Sequence, residues 1–77
     1  MTLNEIIGYA TKNEPSEAVV KELNEYLDKD MANVSVFLLG IESRTEFDQY
    51  DKWFRVIKDH PSVAKLVKSW AVLRVNL

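Results

Sequence analysis

A chain of 77 residues without a single cysteine has no disulfide and no thiolate-metal site to hold it, so side-chain packing must do so alone. At that length only about 60% of the unfolded surface is buried on folding, which suffices for one hydrophobic core. Helices close such a core at low loop entropy because their contacts are local. Apolar residues at 47% and charged residues at 29% give a globular composition rather than a disordered one. The expectation is a single helical domain over residues 1–77.

Local start signals agree with this. Thr2 with Glu5 reads as a capping box, and Leu3, Ile6, Ile7 and Ala10 behind it form one apolar stripe. Asn13-Glu14-Pro15 ends that helix, and Pro15 suits the first turn of the next. There Val19, Val20, Leu23, Tyr26 and Leu27 line one face, with Glu17/Lys21 and Glu25/Lys29 spaced to pair outside it. Ser43 with Glu46 reads as a second capping box, ahead of Phe47, Tyr50, Trp53, Phe54 and Ile57. Pro61 opens a last helix with Val63, Leu66, Val67, Trp70 and Leu73 on its stripe.

The segment Met31–Ile41 is ambiguous. Its valines and phenylalanine favour a strand, which would pair with Ala71–Leu77 in an α+β fold. An isolated two-stranded ribbon is marginal, however, and Asp30 can cap a helix here. A helix over these residues has almost no polar face, so it is central or covered by something. The fold expected is therefore all-α, a compact antiparallel bundle of five short amphipathic helices without disulfides. Its core is expected to centre on Ile6, Leu23, Leu27, Phe37, Leu38, Phe54, Ile57, Leu66 and Trp70.

Little in the sequence points to chemistry. The one histidine, His60, stands beside Pro61 at a helix junction and suits a turn or capping role better than general-base work. No serine lies in a nucleophile-elbow context, and Gly8 and Gly40 make no phosphate loop. Asp28-x-Asp30 fails as a calcium loop, with Ala32, Asn33 and Leu39 at the positions that need a ligand, a glycine and a glutamate. Neither an enzyme nor a cofactor or metal site is expected. An isoelectric point near 5.3 also argues against nucleic-acid binding.

Surface placement says more. Residues 60–77 carry Lys65, Lys68 and Arg74 with no acidic side chain, whereas the N-terminal part is acidic. The two ends can attract each other, or the basic end can form a weak anion-facing surface. Trp53 lies at the edge of its apolar arc, and Val72 falls on the same outward side of the last helix as Lys65 and Lys68. Lysines mixed with apolar residues outside the core stripe suit a membrane interface or a partner protein. Trp53, Lys65, Lys68, Val72 and Arg74 are thus the expected contact residues. The partners expected are membrane phospholipids or, alternatively, a partner protein or second copy of the chain.

The opening Thr2-Leu3-Asn4-Glu5, the length, the lack of cysteine and the five-helix plan across the whole chain are similar to the PAS-factor proteins. These small bacterial proteins are named for periplasmic activation of secretion. The resemblance implies a saposin-like bundle without saposin's disulfides, lipid or membrane binding, and a link to the release of other proteins. It carries over no individual binding residue. With no basic region and no long apolar run near Met1, no signal peptide is expected, so the chain is expected to be made in the cytoplasm and to meet membranes peripherally.

Overall fold

The computed structural model describes residues 1–76, with side-chain surroundings described through Trp70. Its elements are α1 (Leu3–Ala10), α2 (Glu17–Lys29), α3 (Ala32–Glu42), α4 (Phe47–Ile57) and α5 (Pro61–Asn76), and no strand occurs among the described residues. The all-helical expectation holds: Val34–Ile41 and residues 71–76 are helical rather than paired strands, and Leu77, the end of the expected second strand, lies outside the described residues.

Each helix start shows which local chemistry prevailed. At α1 the capping box is complete: the Glu5 N–H donates to Thr2 Oγ1 at 3.1 Å, and the Thr2 N–H donates to Glu5 Oε1 at 2.8 Å. The Thr2 backbone N–H, and after it the Thr2 side chain, hold the Glu5 carboxyl below its ordinary value. At α2 the sequence reading needs correction, because Pro15 precedes the helix instead of opening it. Ser16 is the N-cap and its Oγ accepts the Val19 N–H, a role for which proline has no side-chain acceptor.

The second capping box also fails. Helix α3 runs on to Glu42 and takes Ser43 as its own C-terminal cap, where the hydroxyl donates to the Gly40 carbonyl. Glu46 then becomes the N-cap of α4, with no side-chain bond to the helix. Asp30 closes α2 and Met31 stands at the N-cap of α3 without a side-chain bond, but Asp30 Oδ1 still accepts the Ala32 N–H at 2.9 Å in the first turn of α3. Pro61 is the first residue of α5, as expected.

Helix α3 packs against all four other helices. Val34, Phe37, Leu38 and Ile41 recur at i, i+3, i+4, i+7 and are buried, while Val36 and Leu39 on the opposite side are exposed. It is central without being enclosed. The Cα trace measures 37 × 27 × 18 Å, so its thin dimension holds about two helix layers at the usual spacing of ~8–10 Å. In a two-layer body every helix keeps one face to solvent, and on α3 that face is apolar.

The remaining core comprises Ile6, Ile7, Ala10, Val19, Leu23, Leu27, Trp53, Ile57 and Val63. Three expected core residues are corrected. Phe54 and Leu66 are only half-buried against this cluster, and Trp70 is 38% exposed. Along α5 burial falls from Val63, fully covered, through Leu66 and Val67 to Trp70. At 16 residues α5 is longer than α2 and α3, on which it packs, and its fully buried residue among the described side chains, Val63, lies in the first turn.

Two glycines test this packing in opposite senses. A Cβ built at Gly8 meets nothing within 4 Å, whereas one at Gly40 comes within 3.0 Å of Ile7 Cδ1, where α3 crosses α1. Gly8→Ala should stabilise the protein by about 0.5–1 kcal/mol through helix propensity. Gly40→Ala should gain less than this or lose stability, because Ile7 is buried and must shift to admit the methyl. Urea denaturation of the two variants checks both the signs and their order.

Candidate functional site

Trp53, expected at the surface, is fully buried. Its ring packs edge-on against Tyr9 and Phe37, with centroids 6.1 and 6.0 Å away, and its Nε1–H donates to the Asn13 carbonyl at 3.0 Å. Gln49, one turn earlier on α4, donates to the carbonyls of Ala10 and Asn13 at 2.8 and 2.7 Å. Together Gln49 and Trp53 satisfy carbonyls left open where α1 ends. The row Gln49-Trp53-Ile57 is thus the inward face of α4, with Trp53 and Ile57 buried, Gln49 half-buried, and Tyr50 and Phe54 stacked on its flank at 6.1 Å. A polar residue in that row hid it from a purely hydrophobic pattern. Trp53 is therefore withdrawn as a contact residue.

Lys65 and Lys68 are exposed as expected, and Val72 and Arg74 lie outside the described side chains. Other outward apolar residues were not singled out as contacts by the sequence. Phe47 is 75% exposed, Leu39 58%, and Val36, Met31 and Val56 are also exposed. Their apolar character was visible, but placing them outside required knowing how the helices are rotated about their axes.

Between the α3–α4 turn and α5 lies a half-open cleft of about 430 Å³, lined by Glu42, Thr45, Glu46, Phe47, Tyr50 and Trp70. Desolvation, and after it the Glu42 charge, push the Tyr50 phenol above its ordinary value. The Thr45 hydroxyl donates to the Ile41 carbonyl at 2.6 Å and so serves the α3 terminus.

At another junction Asp28, His60 and Ser62 meet in an arrangement that superficially resembles a triad. His60 Nε2 lies 2.6 Å from Asp28 Oδ1, and Nδ1 accepts the backbone N–H of Ser62 at 3.1 Å. Accepting at Nδ1 places the ring proton on Nε2, from which it is donated to Asp28. The Ser62 hydroxyl is turned away and donates to the Leu27 carbonyl at 3.3 Å. With no hydroxyl on the ring, the group caps α5 and ties it to the end of α2. His60→Ala should cost about 0.5–2 kcal/mol, the usual worth of a helix cap, as measured by urea denaturation.

Among the described residues no three His, Cys, Asp or Glu side chains converge to hold a metal, and no helix is long and apolar enough to cross a membrane. No protein-family model matches this chain, and no curated protein or solved structure matches it.

Proposed function

We propose that this protein is a non-enzymatic helical module that binds lipids or membrane surfaces peripherally, in the manner of a saposin-like bundle. Promotion of secretion or release of other proteins is the process this binding serves. The observation that carries the reading is the outward placement of Leu39, Phe47 and Trp70 on a small body that also exposes Lys65 and Lys68. Large apolar and aromatic side chains supply insertion at a membrane interface, and lysines add attraction to anionic headgroups. The resemblance to the PAS-factor proteins supports the same reading.

Each lysine contributes at most about 1 kcal/mol near an anionic surface, and salt screens it, so apolar insertion must provide most of the affinity. Co-sedimentation with vesicles tests this. Binding should be stronger to anionic than to neutral vesicles. Lys65→Glu with Lys68→Glu should weaken binding to anionic vesicles by about tenfold or more while barely changing stability. If the wild-type chain stays in the supernatant with both vesicle types, the reading fails and a module for a partner protein or a second copy takes its place.

A further inference from the structure

The cleft between the α3–α4 turn and α5 combines three aromatic side chains, Phe47, Tyr50 and Trp70, with two carboxylates, Glu42 and Glu46. Among the described residues, no basic side chain lines it. Its volume of about 430 Å³ lies within the usual range of small-molecule sites, about 300–1,000 Å³. We propose that this cleft binds a quaternary ammonium group, such as that of choline, held by aromatic faces and the two carboxylates.

Charge decides the sign of the ligand. The cleft spans the C-terminal end of α3 and the N-terminal end of α4, whose partial dipole charges are of similar size and opposite sign, so they largely cancel. The full charges of Glu42 and Glu46 remain, and they favour a cation. Burial first, and the Glu42 charge after it, raise the Tyr50 phenol, in keeping with a carboxylate beside this wall. Aromatic ring faces attract cations through their quadrupole and offer no strong acceptor. A primary ammonium is strongly hydrated and loses much on entering such a wall, whereas methyl groups around the nitrogen spread the charge and pack on the rings. Phe47 is three-quarters exposed and Trp70 partly so, leaving both ring surfaces open to a ligand.

A quaternary ammonium can arrive free in solution or on a phosphocholine headgroup. The second source would give the lipid reading a headgroup preference, but the cleft does not depend on that reading. The test is a titration of the full chain with choline chloride, followed by the indole N–H resonances of its two tryptophans. Trp70 should shift saturably while buried Trp53 stays still, which also reports an intact fold. The neutral isostere 3,3-dimethylbutan-1-ol should bind at least about fivefold more weakly, because it lacks the charge. Glu42→Gln with Glu46→Gln should weaken choline binding about fivefold or more and leave the isostere unaffected. A second arm uses phosphatidylcholine vesicles: a Trp70 response to both probes assigns the site to headgroups, and a response to free choline alone assigns it to a soluble ligand. No saturable Trp70 shift with either probe, or equal responses to choline and its isostere, overturns the proposal. Sedimentation with anionic vesicles free of choline lipids is scored separately, so the cleft and the lipid reading can fail independently.

Discussion

Trp53→Ala is expected to destabilise the protein by about 3–5 kcal/mol, the largest effect of any single side-chain truncation here. The indole is fully covered, makes edge contacts with Tyr9 and Phe37, and donates to the chain just beyond α1. Truncation leaves a cavity where α1, α3 and α4 meet. At the usual 0.05–0.15 kcal/mol per residue, a chain of 77 residues has about 4–12 kcal/mol of total stability, so the loss is a large share of it. Trp53→Phe should cost less. It keeps most of the apolar volume, and the Asn13 carbonyl retains its bond from Gln49. Urea denaturation followed by far-UV circular dichroism measures both variants. A loss below about 1 kcal/mol for Trp53→Ala would place the side chain at the surface after all.

The second large effect concerns binding. Leu39→Gln with Phe47→Gln removes two outward apolar side chains without changing net charge, so attraction by Lys65 and Lys68 is retained. Full burial of such a side chain is worth about 1.5–3 kcal/mol; with partial insertion the pair should lose about 2–4 kcal/mol, or about thirtyfold to a thousandfold in vesicle partitioning. Because both positions are mostly exposed, folding stability should change by less than about 1 kcal/mol for the pair. Binding should fall on neutral and anionic vesicles alike, in contrast to the lysine reversals. Partitioning unchanged by the double variant would assign the contact to another surface.

These two predictions also mark how far the sequence could be read. The helices were legible because their stripes are long and several start signals are chemically specific: Thr2 with Glu5, Asp30 before α3, and Pro61 opening α5. Capping was misread where two helices competed for one residue. Ser43 matched the start of α4 as a pattern, but the apolar run of α3 extended far enough to claim it. The junction role of His60 was legible from the neighbouring proline. Its partner Asp28, 32 residues away, was not.

The surface was harder, because a face depends on how far each helix is rotated about its axis. On α4, Gln49 and Trp53 bond to the end of α1, which turns the helix inward along that row and leaves Phe47 outside. An apolar stripe cannot show this, since the deciding residue is polar and its partners are backbone carbonyls 36 and 39 residues earlier. On α5 the stripe suggested a buried Trp70, yet among the described side chains of that helix only Val63, in the first turn, is fully buried. A pattern along one helix does not report how far its neighbours extend.

The two tryptophans, one sealed in the core and one open to solvent, provide the most direct test of surface binding. Vesicles of anionic phospholipid brominated along the acyl chain quench an indole only where it reaches the apolar layer. Wild-type fluorescence should be partly quenched on binding, and Trp70→Phe should abolish the quenching because Trp53 stays inside the folded bundle. No quenching of the wild-type chain would contradict insertion through the outward face, as would quenching that persists undiminished in Trp70→Phe.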